Sequence, residues 1–176
     1  MADESSPYKM LPVDSIKVPD LRVTSVLDAD LLAELEESIT RQGILQPLQV
    51  EQVGEELWLV DGLHRLLVAK RLGWEEIPCI ISPGTQEGVL LKNLVVNRQR
   101  GKSNPAQEAK LIRYLREEGG LPLERIASIT GLSVSWTRRL HAISFLPPGV
   151  LDLVGAGKLG ASIALELLPL KEEAIL

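Results

Sequence analysis

Apolar positions follow two different rhythms along the chain, and the change falls near residue 97. Before it, short apolar runs alternate with helical stretches. Leu11–Val18 predicts an edge strand, interrupted by Pro12 and followed by Pro19, since proline cannot donate to a strand ladder. Asp28 or Asp30 can cap a helix carrying Leu31, Leu32, Leu35 and Ile39, with Gly43 as its stop. Leu48-Gln49-Val50 and Leu57–Val60 predict a hairpin around the polar turn at Gly54. A helix over 62–72 follows, placed by Leu66, Leu67, Ala69 and Leu72 and closed by Gly73 and Pro78. Strand Ile77–Ile81, a turn at Ser82-Pro83-Gly84 and a helix over 86–96 complete a mixed unit.

From Asn97 to Pro105 the chain is polar and basic, and beyond this joint every predicted element is helical: 105–118, 122–130, 133–145, 147–155 and 160–168. The predicted fold class is α+β, with a small mixed-sheet domain over 1–102 and an all-α domain over 103–176. Within the latter, PLERIASITGLSVSWTRRLHAI (122–143) has the grammar of a helix-turn-helix. Ile126 and Ala127 face inward, Gly131 suits a left-handed turn, Leu132 packs beneath it, and Ser133 caps a second helix. That helix presents Ser135, Trp136, Arg138 and Arg139 near its start, where a recognition helix meets the major groove. Arginine can read guanine or grip phosphate. Helical hairpins also serve as plain packing units, and Trp136 fits the half-buried core at least as well as a base edge.

Charge changes the picture. The net −5 speaks against nucleic acid until it is divided. Residues 1–91 hold 7 Lys/Arg against 16 Asp/Glu, residues 92–145 hold 10 against 4, and residues 146–176 hold 2 against 4. The balances are −9, +6 and −2. A basic segment in an acidic chain is the pattern of a protein that meets a polyanion with one part only. The acidic start, MADESSPYKM, is not a secretory signal, and no apolar run reaches the ~20 residues of a membrane span. A lone cysteine, Cys79, excludes a disulfide framework and is expected in a buried strand. A cytoplasmic protein is expected.

The stretch LVDGLHRLLVAKRLG (59–73) puts Asp61, Gly62, His64 and Arg65 where a strand turns into a helix. Unpaired N–H groups and the helix dipole favour an anion at such a place, with glycine letting a phosphate approach. Ordinary turn and cap residues are the alternative.

Five segments in order resemble ParB-type partition proteins. SITRQGILQPLQV (38–50) is similar to the family's "SI…GLLQPL.V", and DGLHRLLVAKRLGWEEIPCII (61–81) to "GERRxRAAKxxGxxxIPVIV". NRQRGKSNPAQEAKLIRYL (97–115) is similar to "ENxQRxxLNPxEEAxxxxxL"; the helix-turn-helix follows at family spacing; LPPGVLDLVGAGKLGASIALELLPL (146–170) matches "LPxxVxxxLxxGxLsxxHAxaLLxL". The resemblance implies DNA binding through the helix-turn-helix and CTP binding, with Mg2+, as a conformational gate in the first domain. It places Gly62, His64 and Arg65 on positions that cradle the triphosphate. Asn97, Gln99 and Arg100 fall on the box that contacts phosphates and magnesium, Asn97 being the metal candidate. DNA contacts are expected from Ser133, Ser135, Trp136, Arg138 and Arg139, and from Arg98, Arg100 and Lys102 in the basic joint. A homodimer on double-stranded DNA, a partition ATPase as partner and nucleoid or plasmid association are implied as well. Family members continue into a small dimerisation domain, so the 176 residues are either part of a longer chain or a short member.

Two departures bear on chemistry. Val96 and Leu63 replace the acidic residues of the two boxes, and a magnesium ion wants carboxylate oxygens. Nucleotide binding with feeble or no hydrolysis is the expectation. Arg22 is the sole basic candidate in the family's proline-arginine segment. Asp61–Arg65 also resembles the "DGHHR" of ParB-like free-serine kinases, which keeps an ATP-dependent kinase or a nuclease on this scaffold as the alternative. It resembles the "GGCHR" of sulfiredoxins too, but Leu63 replaces the nucleophilic cysteine and no such activity is expected.

Overall fold

The computed structural model describes residues 7–24, 29–101 and 104–168. Five strands form one mixed sheet: β1 (Tyr8–Pro12), β2 (Ile16–Lys17), β3 (Leu48–Val53), β4 (Glu56–Asp61) and β5 (Glu76–Pro83), in the order β1-β5-β3-β4-β2. Helices α1 (Ala29–Gln42), α2 (Leu63–Arg71) and α3 (Gln86–Gln99) are interleaved with them. The hairpin β3–β4 is antiparallel, β5 runs parallel to β3 and β1 antiparallel to β5, and β2 pairs parallel with β4.

The expected edge strand over Leu11–Val18 is in fact two strands on opposite edges. Pro12, at φ −56, turns the chain into a short 3-10 helix at Val13–Ser15. Its ring holds φ near this value and offers no N–H to continue a ladder. The core of this unit is Leu48, Val50, Leu59, Ile77 and Cys79 from the sheet, closed by Leu66 and Ala69 of α2.

The remaining helices are α4 (Pro105–Glu117), α5 (Leu123–Thr130), α6 (Val134–Ile143), α7 (Pro148–Gly155) and the short α8 (Ala161–Ala164). Asn104 caps α4, its side chain accepting from Gln107 N at 3.1 Å, with Pro105 preset in the first turn. Leu111, Ile112, Leu115, Ile126, Leu140 and Ile143 form the centre of their core.

The described residues of Met1–Asp20 with Val26–Val89 make one compact unit, and those of Leu21–Ser25 with Leu90–Leu176 make the other. The division after Val89 lies well before the polar joint of the sequence. Leu90, Leu91 and Leu94 belong to the helical core, and α3 continues through Gln99, so Asn97–Gln99 is helix rather than loop. The segment Leu21–Thr24 joins the second unit through side chains: Asn93 Oδ1 accepts from Val23 N at 2.8 Å, Asn97 Nδ2 donates to Val23 O at 3.1 Å, and Gln107 Oε1 accepts from Thr24 N at 2.8 Å. Three amides thereby satisfy backbone groups that buried chain cannot leave unpaired. Among the described residues no helix is long and apolar enough to cross a membrane.

Candidate functional site

The turn from β4 into α2 is built on Gly62, whose φ of 104° and ψ of 24° are costly for any residue with a Cβ. A Cβ there would lie 2.8 Å from Leu48 Cγ and 3.1 Å from Arg65 Nη2. As N-cap it supplies no side chain to the first-turn N–H groups of α2, which leaves the positive end of the helix to backbone donors.

Arg65 is committed inward. Its Nη2 donates to Asp61 Oδ2 at 2.9 Å, and its Nη1 donates to Pro47 O at 3.0 Å and to Gln46 O. Both charged side chains are largely buried. The guanidinium therefore ties the turn to the segment before β3, while His64 lies half-buried in the first turn of α2. Leu63, in place of the family's glutamate, packs against the sheet core.

Cys79 is fully buried in β5. Burial pushes its thiol up to about 12, against a smaller opposing pull from Arg65. A thiol of this kind is no nucleophile near neutrality. Native protein should leave it unmodified by a disulfide-exchange reagent at pH 8 over minutes, and denatured protein should react at once. Rapid native labelling would contradict this placement.

In the second unit the helix-turn-helix is formed by α5 and α6. Gly131, at φ 70, closes α5, and Ser133 Oγ accepts from Trp136 N at 3.1 Å to cap α6. Leu132, Thr137, Leu140 and Ile143 turn inward, whereas Ser135, Arg138 and Arg139 form an exposed stripe. Trp136 is partly buried against the helical core, and Ser133 serves the cap. Arg138 Nη2 donates to Glu124 Oε1 of α5 at 2.7 Å, a bond that, ahead of other causes, holds the Glu124 carboxyl below its ordinary value.

The joint residues divide. Asn97 is buried and its amide is spent on Val23 O and Asn93 O. Arg98 sits 3.4 Å from the buried Glu108, acting as its counter-charge. Gln99 and Arg100 are exposed, and Lys102 lies outside the described residues. Glu51, Glu108 and Glu124 were not singled out from the sequence. The first two are buried carboxylates, and the third pairs with a residue 14 positions away, beyond any local spacing rule.

Among the described residues no group of three or more His, Cys, Asp or Glu is placed to hold a metal ion. The side chains of Val96 and Leu63 carry no oxygen, and at Asn97 the atom that could face a metal is Oδ1, since Nδ2 donates to Val23 O and Asn93 O.

The chain thus carries a small mixed sheet followed in sequence by a helix-turn-helix bundle. A family model for the ParB N-terminal domain matches residues 2–98, and the chain belongs to the ParB family. A probable chromosome-partitioning protein ParB of Coxiella burnetii is 34% identical over 172 residues, covering 97% of this chain and 59% of that protein. The chromosome-partitioning protein Spo0J of Thermus thermophilus is 32% identical over 163 residues, covering 93% and 60%. The chain thus spans about three fifths of the length of these relatives. The C-terminally truncated ParB of Caulobacter crescentus, solved in complex with the centromeric parS site, shares the fold at a TM-score of 0.60 and 23% identity, over 95% of this chain and 88% of that one.

Proposed function

We propose that this chain acts in chromosome or plasmid partition as a DNA-binding protein, gripping duplex DNA through α6 and gated by a nucleotide at the turn Asp61–Arg65. The observation that carries the DNA reading is the stripe of Ser135, Arg138 and Arg139 on a helix whose opposite face is locked into the core. The net charge of +6 over 92–145 adds the electrostatic footprint, and curated relatives are chromosome-partitioning proteins. Exposed Arg100 and the neighbouring Lys102 are assigned to phosphates; Arg98 serves mainly to balance Glu108. A homodimer on a palindromic site follows the usual symmetry of such readers, and a partition ATPase is the expected protein partner.

Arg138→Ala and Arg139→Ala should each weaken binding to a 30-base-pair duplex by about 1–3 kcal/mol, and each lost phosphate contact should flatten the salt dependence by about one unit of slope. Fluorescence anisotropy across a salt series measures both quantities. Unchanged affinity and slope in both variants would remove the DNA assignment.

For the nucleotide, the Gly62 turn sets the positive end of α2, with His64 in its first turn, where the family resemblance puts a phosphate, while Arg65 braces the turn. CTP is the ligand that the family resemblance favours, with magnesium brought by the triphosphate and little hydrolysis. Equilibrium dialysis of labelled CTP, ATP, GTP and UTP should show selective CTP retention that is lost in His64→Ala. Selection of ATP would favour a small-molecule kinase instead, and no retention would make the turn purely structural.

A further inference from the structure

The exposed stripe of α6 is contacted by an acidic group from another helix. Glu124, in the first turn of α5, holds Arg138 at 2.7 Å although the two side chains remain 57% and 64% exposed. A pair this exposed contributes little to stability, so folding energy does not account for a carboxylate on a face assigned to a polyanion. A guanidinium has five donors in a rigid fork. One of them on Glu124 leaves others for a second acceptor, with the rotamer already chosen.

We infer that Glu124 is a positioning residue for sequence discrimination: it fixes Arg138 for a base edge and discourages its use on phosphate. The inference rests on α6 being the DNA-reading helix. On non-specific DNA, Arg138 can reach a phosphate only by leaving Glu124 facing the polyanion or by carrying it along, and either route cancels most of the charge gained. At a guanine edge the acceptors are the neutral O6 and N7. There the bond to Glu124 can persist, and the pre-ordered side chain has less entropy to lose. The carboxylate therefore penalises the wrong DNA more than the right one, which is how discrimination arises.

The test uses two probes: a 30-base-pair duplex of random sequence, and the duplex enriched from a randomised pool by the wild-type chain. Glu124→Gln should bind the random duplex about 3- to 10-fold tighter with a salt slope steeper by about one, and the preference for the enriched duplex should shrink. In an Arg138→Ala background the same substitution should change neither. An equal gain in both backgrounds would show that Glu124 is merely a repelling surface charge and would overturn the inference. So would an unaltered preference in Glu124→Gln while Arg139→Ala still weakens binding; that result would spare the DNA-binding reading. Failure of the wild-type chain to bind either duplex would remove both.

Discussion

Gly84→Ala should lower the stability of the sheet-containing unit by about 1–3 kcal/mol, with a fall in Tm of about 5–20 °C for a unit of this size. A methyl group on Gly84 would stand 2.1 Å from Glu51 Oε2, 2.5 Å from its Cδ and 3.1 Å from its Cβ. Glu51 is only 1% exposed, and Gly88 crowds the same oxygen, its would-be Cβ lying 3.3 Å away. The carboxylate cannot swing to water without opening the space between β3 and the start of α3. Denaturant melts followed by Trp58 and Trp74, both in this unit, report the loss. Removing the obstacle should help: in a double-mutant cycle, Glu51→Ala with Gly84→Ala should cost less than the two single changes summed. A Gly84→Ala protein within about 0.5 kcal/mol of wild type would mean that Glu51 does not occupy this position.

Leu140→Ala should cost the helical unit about 2–5 kcal/mol. Leu140 is fully buried on the inward face of α6, in one core with Leu111, Ile112, Ile126 and Ile143. Truncation leaves a cavity that these residues, held by α4, α5 and α6 itself, can fill only in part. Trp136 packs on the same core, so its fluorescence in a Trp58→Phe, Trp74→Phe background isolates the transition. DNA affinity should fall together with the folded fraction, because the exposed stripe is presented from the back of this residue. A cost below about 1 kcal/mol would indicate that α6 is not docked as described.

Elements whose signals are local were legible in the sequence. Gly54 between two apolar runs marked the β3–β4 hairpin, and Gly131 followed by Ser133 marked the turn and cap of the helix-turn-helix. Cys79 was correctly expected in a buried strand. Non-local features were not legible. Nothing around Pro12 shows that the strands on its two sides lie at opposite edges of the sheet, since their partners, β5 and β4, come much later in the chain. The polar run from Asn97 to Pro105 suggested a joint, yet Asn97 and Arg98 point at buried partners, Val23 and Glu108. Polarity marks such residues equally whether they face solvent or satisfy a core. At the turn, Asp61, Gly62, His64 and Arg65 were singled out by type and spacing, and the phosphate role of Gly62, His64 and Arg65 came from the family resemblance. The inward commitment of Arg65 to Asp61, Gln46 and Pro47 needed coordinates, because two of these acceptors are backbone carbonyls 19 and 18 positions away.

Amide chemical-shift mapping decides whether DNA meets α6. A duplex enriched from a randomised pool is titrated into uniformly 15N-labelled protein. The largest shifts should fall on Ser133–Ala142 and the start of α5, and they should weaken as salt is raised. Shifts centred on the sheet, with α6 unmoved at saturation, would contradict the account.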